Sequence, residues 1–171
     1  MPGNNDKIIE VARKLRNFVD APVLGGIAVF LHGYLRSTTD LDFYTSDREV
    51  TDVQLRAGGA RWDTAHREHV LDDVRIHTVT PEDAGHVVAR VSEIDGVRVV
   101  SLKDLIAIKL RCGLKNVDRG KDVGDVIELI RALSLDKSFV TKLPKDLRSE
   151  FKKFVDAVHA AAKAREGKPQ F

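Results

Sequence analysis

The stretch that decides the fold runs from Val23 to Ser46 and reads "VLGGIAVFLHGYLRSTTDLDFYTS". From Thr39 to Thr45 the residues alternate, so that Leu41 and Phe43 point to one side of an extended segment and Asp40 and Asp42 to the other. Such a strand carries two carboxylates on one face, about 7 Å apart at their Cα atoms. Crowded acids raise each other's pKa unless a cation joins them. Mg²⁺, which takes one or two carboxylates and completes its shell with phosphate oxygens, is the common remedy. The plainer reading pairs one acid with Arg36 and leaves the other solvated at a strand edge. Upstream, Gly25 and Gly26 precede a short apolar helix predicted over Gly26–His32. Glycine lets the backbone approach a phosphate closely, and the first N–H groups of the helix, near Ile27 and Ala28, offer an anion site. His32, at the end of that run, reads as a structural or capping residue.

Outward from this segment, the chain of 171 residues is 43% hydrophobic and 32% charged. One domain of this size buries about two-thirds of its unfolded surface and needs no staple. A net charge of +2 gives no broad reason to expect nucleic acid, so any polyanion contact must be local. The single Cys112 excludes an internal disulfide and, within a helical pattern, reads as a small core or boundary residue rather than a nucleophile. With no secretory leader and no span of about 20 apolar residues, a cytoplasmic location without membrane contact is expected.

Helical spacing of Ile8, Ile9, Val11, Ala12, Leu15, Phe18 and Val19 predicts a first helix over Asp6–Val19, capped by Asn5 or Asp6 and stopped near Pro22. Arg48–Ala57 fits another helix, and "AGGARWDT" breaks the chain ahead of a hairpin-like region. Val74, Ile76 and Thr78 alternate with Arg75, His77 and Val79, which predicts a second strand. "GVRVVS" from Gly96 is a short strand leading to Ser101, whose spacing to Asp104 partly matches a capping box. Helices follow over about 102–114 and 121–133. From Pro144 onward Leu147, Phe151, Phe154, Val155, Val158 and Ala162 share one helical face, with "REGKPQF" as a frayed end.

In its glycines, Arg36, Thr39 and the Asp40-Leu41-Asp42 triplet, "VLGG…RSTTDLDF" resembles the first motif of the DNA polymerase beta-like nucleotidyltransferase superfamily. The resemblance implies an α/β (α+β) nucleotidyltransferase fold: a small mixed β-sheet flanked by helices, with a sheet-containing core over about 1–100 and a helical C-terminal part over about 101–171 of a single domain. It also implies that Gly25, Gly26, Arg36 and Thr39 bind the triphosphate. Asp40 and Asp42 then hold Mg²⁺, with Mn²⁺ as an alternative, following the two-metal logic of in-line displacement.

The superfamily's third carboxylate falls on a later strand, where this chain reads "IHTVTPED" and places His77 at the acid's position. A neutral imidazole can ligate a metal or act as a base but cannot supply a carboxylate's charge. Asp73 lies on the same predicted face, about 13 Å farther along an extended strand, and substitutes only in another register. The alternative for His77 is a hydrogen-bonded strand residue beside the acids.

A second constellation lies in "SLKDLIAIKLRCGLK" and "GKDVGDVIELIRAL". Lys109 falls within an apolar helical stripe, and Asp122 and Asp125 flank the buried face of the next helix, so a buried structural ion pair is one reading. The other comes from resemblance: Lys109, Arg119, Lys121, Asp122 and Asp125 are similar to a segment of the AbiEii-type nucleotidyltransferases, known as toxins of toxin–antitoxin and phage-defence systems. That resemblance implies that Lys109 and Asp122 contact the nucleotide and that Lys109 and Asp125 complete the catalytic set; His77, a departure from the pattern, is a further candidate to orient or deprotonate the acceptor. It implies transfer of a nucleoside monophosphate from an NTP to a hydroxyl acceptor, RNA (particularly a tRNA 3′ end) or protein, and an antitoxin partner. A catalytically weak binding or regulatory protein on the same fold is the main rival, favoured by His77. An antibiotic-modifying nucleotidyltransferase is a third reading, disfavoured by the basic cluster Arg111, Lys115, Arg119 and Lys121.

Overall fold

The alternation in the opening stretch becomes a strand, Asp40–Tyr44, in which Leu41 and Phe43 are buried while Asp40 and Asp42 stay half-exposed. In this computed structural model, which describes residues 3–167, it is the second of seven strands: β1 Val23–Leu24, β2 Asp40–Tyr44, β3 Arg61–Asp63, β4 Glu68–Leu71, β5 Val74–Val79, β6 Val91–Ile94 and β7 Val97–Val100. The helices are α1 Asn4–Leu15, α2 Gly25–Leu31, α3 Arg48–Ala57, α4 Pro81–Ala84, α5 Leu102–Lys115, α6 Gly120–Ala132 and α7 Arg148–Glu166. The chain divides into two compact units between Leu105 and Ile106.

The first unit holds all seven strands in one mixed sheet of order β3-β4-β5-β2-β1-β7-β6. β2 runs parallel to β5, and β1 parallel to β7, while the other neighbours are antiparallel. The pairing of β2 with β5 sets Leu41 beside Ile76, Asp40 beside Arg75 and Asp42 beside His77. Leu41 and Ile76 are almost fully buried, each worth about 1.5–3 kcal/mol against exposure. A slip of one residue would expose both and bury two carboxylates, so hydrophobic burial fixes the register that lines up the charged face. α1 packs on α2, β2, β5 and β7 through a buried stripe of Ile8, Val11, Ala12 and Leu15.

Several boundaries differ from those predicted. α1 begins at Asn4, with Gly3 rather than Asn5 or Asp6 as its N-cap; the Asp6 carboxylate accepts the Gly3 N–H at 2.9 Å. It ends at Leu15, where backbone bonds from Phe18 and Val19 to the Leu15 carbonyl form a turn that leaves Phe18 exposed. β1, β3, β4 and β6 are only two to four residues long, too short for periodicity to mark them.

In the second unit α6 and α7 pack together, joined by two short 3₁₀ turns, Lys137–Lys142 and Lys145–Leu147. Leu147, Phe151, Val155 and Val158 are buried as the stripe predicts, and the Phe139 and Phe151 rings lie 5.5 Å apart. Phe154 is only partly covered and Ala162 is exposed, as are the described residues of α7 beyond Val158. Arg165 and Glu166, expected in a frayed end, belong to the helix, and the rest of that expectation, residues 168–171, lies outside the described residues. Among the described residues no helix is long and apolar enough to cross a membrane.

Candidate functional site

The charged face of the sheet is built as a cross-strand row. His77 on β5 sits beside Asp42 on β2, and Asp63 on β3 beside Glu68 on β4. One step from the paired His69 and Ile76, Glu68 comes opposite His77, and their side chains meet: His77 Nε2–H donates to Glu68 Oε2 at 2.7 Å. The other ring nitrogen, Nδ1, lies 3.5 Å from Asp42 Oδ1. Interaction with Asp42 raises the imidazole pKa against the opposing effect of partial burial, and Glu68 and Asp40 add to it, so that it is pushed up to about 9. His77 is therefore an imidazolium at neutral pH. Where the superfamily pattern places a third negative charge, this chain places a positive one.

Glu68 was not foreseen. Its side chain is 7% exposed, and it supplies the carboxylate next to His77 that sequence reasoning sought in Asp73. Asp73 instead lies in the two-residue turn between β4 and β5, with φ 62 after Asp72 at φ 50, and pairs with Lys7 across 3.6 Å. Positive φ at both central residues belongs to a tight hairpin turn, which takes Asp73 off the strand face. The consecutive Asp72 and Asp73 are the local signal that marks this turn.

Asp40 is engaged differently. Arg75 Nη2 approaches its Oδ1 at 2.7 Å, with Asp40 30% exposed at its side chain. That buried oxygen nevertheless lacks an aligned hydrogen-bond donor. The guanidinium neutralises the charge at short range through a poorly directed contact, and the oxygen itself is shut off from solvent. Arg75, not emphasised by the sequence pattern, also donates to Thr39 Oγ1 at 3.4 Å.

The glycines lie directly against the acids. Gly25 has φ +71, and a Cβ there would fall 1.9 Å from Asp42 Oδ2. Both the left-handed backbone and the close approach require glycine. A Cβ on Gly26 would meet Thr38 Oγ1 at 2.6 Å and the Arg36 guanidinium at 3.2 Å. Arg36 thus borders the glycine turn, and its loop is clamped from α1: Asn5 Nδ2 donates to the Arg36 carbonyl at 2.7 Å, and Asn5 Oδ1 accepts from the Thr38 N–H at 3.1 Å. Asn5, expected as a cap, is a loop anchor. The structure thus brings Gly25, Gly26, Asp40, Asp42 and His77 together, with Arg36 at the glycine turn and Thr39 tied to Arg75.

His32 closes α2, and its Nε2–H donates to the Val100 carbonyl at 2.8 Å; burial lowers its pKa. Asp104 is likewise structural. Burial raises its pKa, but this is outweighed by hydrogen bonds from His86, Ser101, Arg90 and Ala89, which together hold the carboxyl below the usual range.

In the second unit, Lys109 is 8% exposed. Its ammonium lies 2.7 Å from Asp122 Oδ1 and 2.9 Å from Asp125 Oδ2, and Arg119 Nε donates to Asp122 Oδ2 at 2.7 Å. Two cations and two anions close on one another between α5 and α6. Burial raises the Cys112 thiol pKa, which is unfavourable to a nucleophilic thiolate.

No family model and no curated protein matches the sequence. Among solved structures, an antigenic nucleotidyltransferase-like protein from Paracoccidioides brasiliensis is similar over 98% of this chain and 94% of its own, at 16% identity and a TM-score of 0.57. The fold is nucleotidyltransferase-like. JHP933 from Helicobacter pylori is similar over 95% of this chain and 94% of its own, at 13% identity and a TM-score of 0.44, and adds nothing to the fold assignment.

Proposed function

We propose that this protein is a metal-dependent nucleotidyltransferase that transfers a nucleoside monophosphate from an NTP to a hydroxyl acceptor and releases pyrophosphate. The observation that carries the reading is the Asp40–Asp42 pair on one half-exposed strand face, pressed against the Gly25 turn. The donor set suits a hard cation. Two carboxylates offer hard oxygen donors on one face, and each has a protein cation beside it, Arg75 at Asp40 and His77 at Asp42. Asp40 and Asp42 would hold Mg²⁺, or Mn²⁺, which when bound neutralises triphosphate charge. Arg36, beside Gly26, is placed to meet phosphate oxygens, for which its planar fork is suited. His77, beside Asp42 and Glu68, would position Asp42 and remains the candidate to orient the acceptor. Lys109, Asp122 and Asp125 are left out of the proposed chemistry because their mutual pairing accounts for them. RNA, including a tRNA 3′ end, or a protein is the proposed acceptor class, and an antitoxin partner follows only from the AbiEii-type resemblance.

One observation favours a second reading. Asp40 and Asp42 each already face a cation within the protein, which suits a binding or regulatory protein that holds a nucleotide without turnover. Incubation with Mg²⁺, each labelled NTP and total RNA or cell extract separates the two. Transfer that falls by at least about 100-fold in Asp42→Asn, the scale of losing one electrostatic stabiliser, supports the enzyme. NTP binding without transfer supports the second reading, and absence of both overturns both.

A further inference from the structure

The hairpin of β3 and β4 carries a group of side chains that the proposed reaction does not use. Asp63 and Glu68 are directly opposed across the two strands, and His66 lies in the turn that joins them. Like charges placed opposite each other destabilise a strand pair, so this register calls for something cationic between them. Geometry draws the three together: one donor atom from each of Asp63, His66 and Glu68 lies within 4.8 Å of the other two. Asp63 is held in place by the Ala65 N–H, which donates to its Oδ1 at 3.0 Å, while its Oδ2 faces His66 Nδ1 at 2.9 Å. Glu68 is fixed from the other side by His77. Two carboxylates are therefore anchored by the sheet, and the third donor sits on an exposed turn, free to close on them.

We propose that Asp63, His66 and Glu68 form a binding site for a divalent transition-metal ion of the Zn²⁺ class, at the far end of the same charged row from Asp40 and with ligands distinct from Asp40 and Asp42. One imidazole nitrogen and two carboxylate oxygens are a ligand set suited to Zn²⁺ or Co²⁺, with a remaining position for water, whereas Mg²⁺ prefers oxygen alone. The donor atoms must draw closer for metal–ligand bonds of about 2.0–2.2 Å, a movement the exposed His66 side chain can supply. The rival is that protonated His66 itself joins the two acids and no metal binds. A metal and a proton compete for the same imidazole nitrogen, so direct binding distinguishes them. Because Glu68 also accepts from His77, a metal on Glu68 would compete with the imidazolium next to Asp42 for that carboxylate.

The test uses the metal-stripped full-length chain titrated with Co²⁺, read by visible d–d absorption, with Zn²⁺ added in competition. A saturable band displaced by Zn²⁺ is expected, with affinity weakened at least about tenfold in His66→Ala and in Asp63→Asn and the band retained in Asp42→Asn. His66 is exposed, so its variant should fold, and far-UV circular dichroism checks both. The proposal is overturned by absence of a saturable band, by undiminished binding in folded His66→Ala and Asp63→Asn, or by binding lost in Asp42→Asn instead. None of these outcomes depends on nucleotide transfer.

Discussion

The molecule holds two clusters of opposite charges that look alike on paper and differ in construction. Around Lys109, the ammonium and two carboxylates are packed between α5 and α6, all three buried, and the exposed Arg119 joins Asp122 from the rim. Around Asp42 and Asp40, the charges lie in a row on a sheet face, partly open to solvent, and one buried oxygen lacks an aligned donor. A closed cluster must satisfy its own charges, since a buried ion without a partner costs several kcal/mol. An open one can leave some of its bonding capacity for a ligand. The contrast teaches that ionisable residues in a hydrophobic stripe and ionisable residues on a strand face answer to different demands, stability in the first case and, on the proposed reading, ligand binding in the second.

The sharpest way to break this contrast is to remove one member of the closed cluster. Lys109→Met should remove the buried ammonium that Asp122 and Asp125 share, leaving Arg119 on Asp122, and destabilise the protein by about 3–5 kcal/mol, read as a lowered urea midpoint. Replacing Asp122 and Asp125 by Asn in the same chain should recover part of that loss. A shift below about 1 kcal/mol, the range of an exposed pair, would show that the two clusters are energetically equivalent.

Gly25→Ala probes the join between the glycine turn and the open cluster. The αL conformation costs a residue with a Cβ about 1–2 kcal/mol, and the added carbon must also displace the Asp42 carboxylate. The expected result is a destabilisation of about 2 kcal/mol together with weakened NTP binding. Unaltered binding would separate Asp42 from the nucleotide.

The smallest expected effect is the pH dependence set by His77. Its pKa is raised from 6.5 in the unfolded chain to about 9 when folded, so its contribution is fully present below pH 6.5 and is lost as pH rises through about 9. The side chain is 37% exposed, and solvent screening keeps the contribution modest. Urea midpoints at pH 6 and pH 9.5 should differ more in the native chain than in His77→Gln. Equal differences would remove the imidazolium from the account of this face.

Much of this was readable in advance where the determining physics is local. The alternation at 39–45 placed Leu41 and Phe43 inward and both acids outward, because side-chain direction along a strand depends only on successive residues. α3 fell on its predicted span, and α5 and α6 within one residue of theirs at each end, through helical periodicity. The Gly25–Gly26 turn was marked by composition, since few other residues accept its backbone. The mixed sheet with a helical C-terminal part was expected from the resemblance of the glycine–aspartate motif, not from local periodicity.

Partnership was another matter. That Asp40 meets Arg75, that Glu68 on a strand too short to read stands opposite His77, that Asp73 turns away toward Lys7, and that Asn5 anchors the loop of Arg36 all depend on which segments lie side by side. The sequence by itself determined which residues share a strand face and which lie in a helical stripe. Only the tertiary structure decided which charges neighbour one another, because strand register is chosen by the burial of Leu41 and Ile76 across distant segments, and the polar row on the opposite face takes whatever alignment that burial imposes.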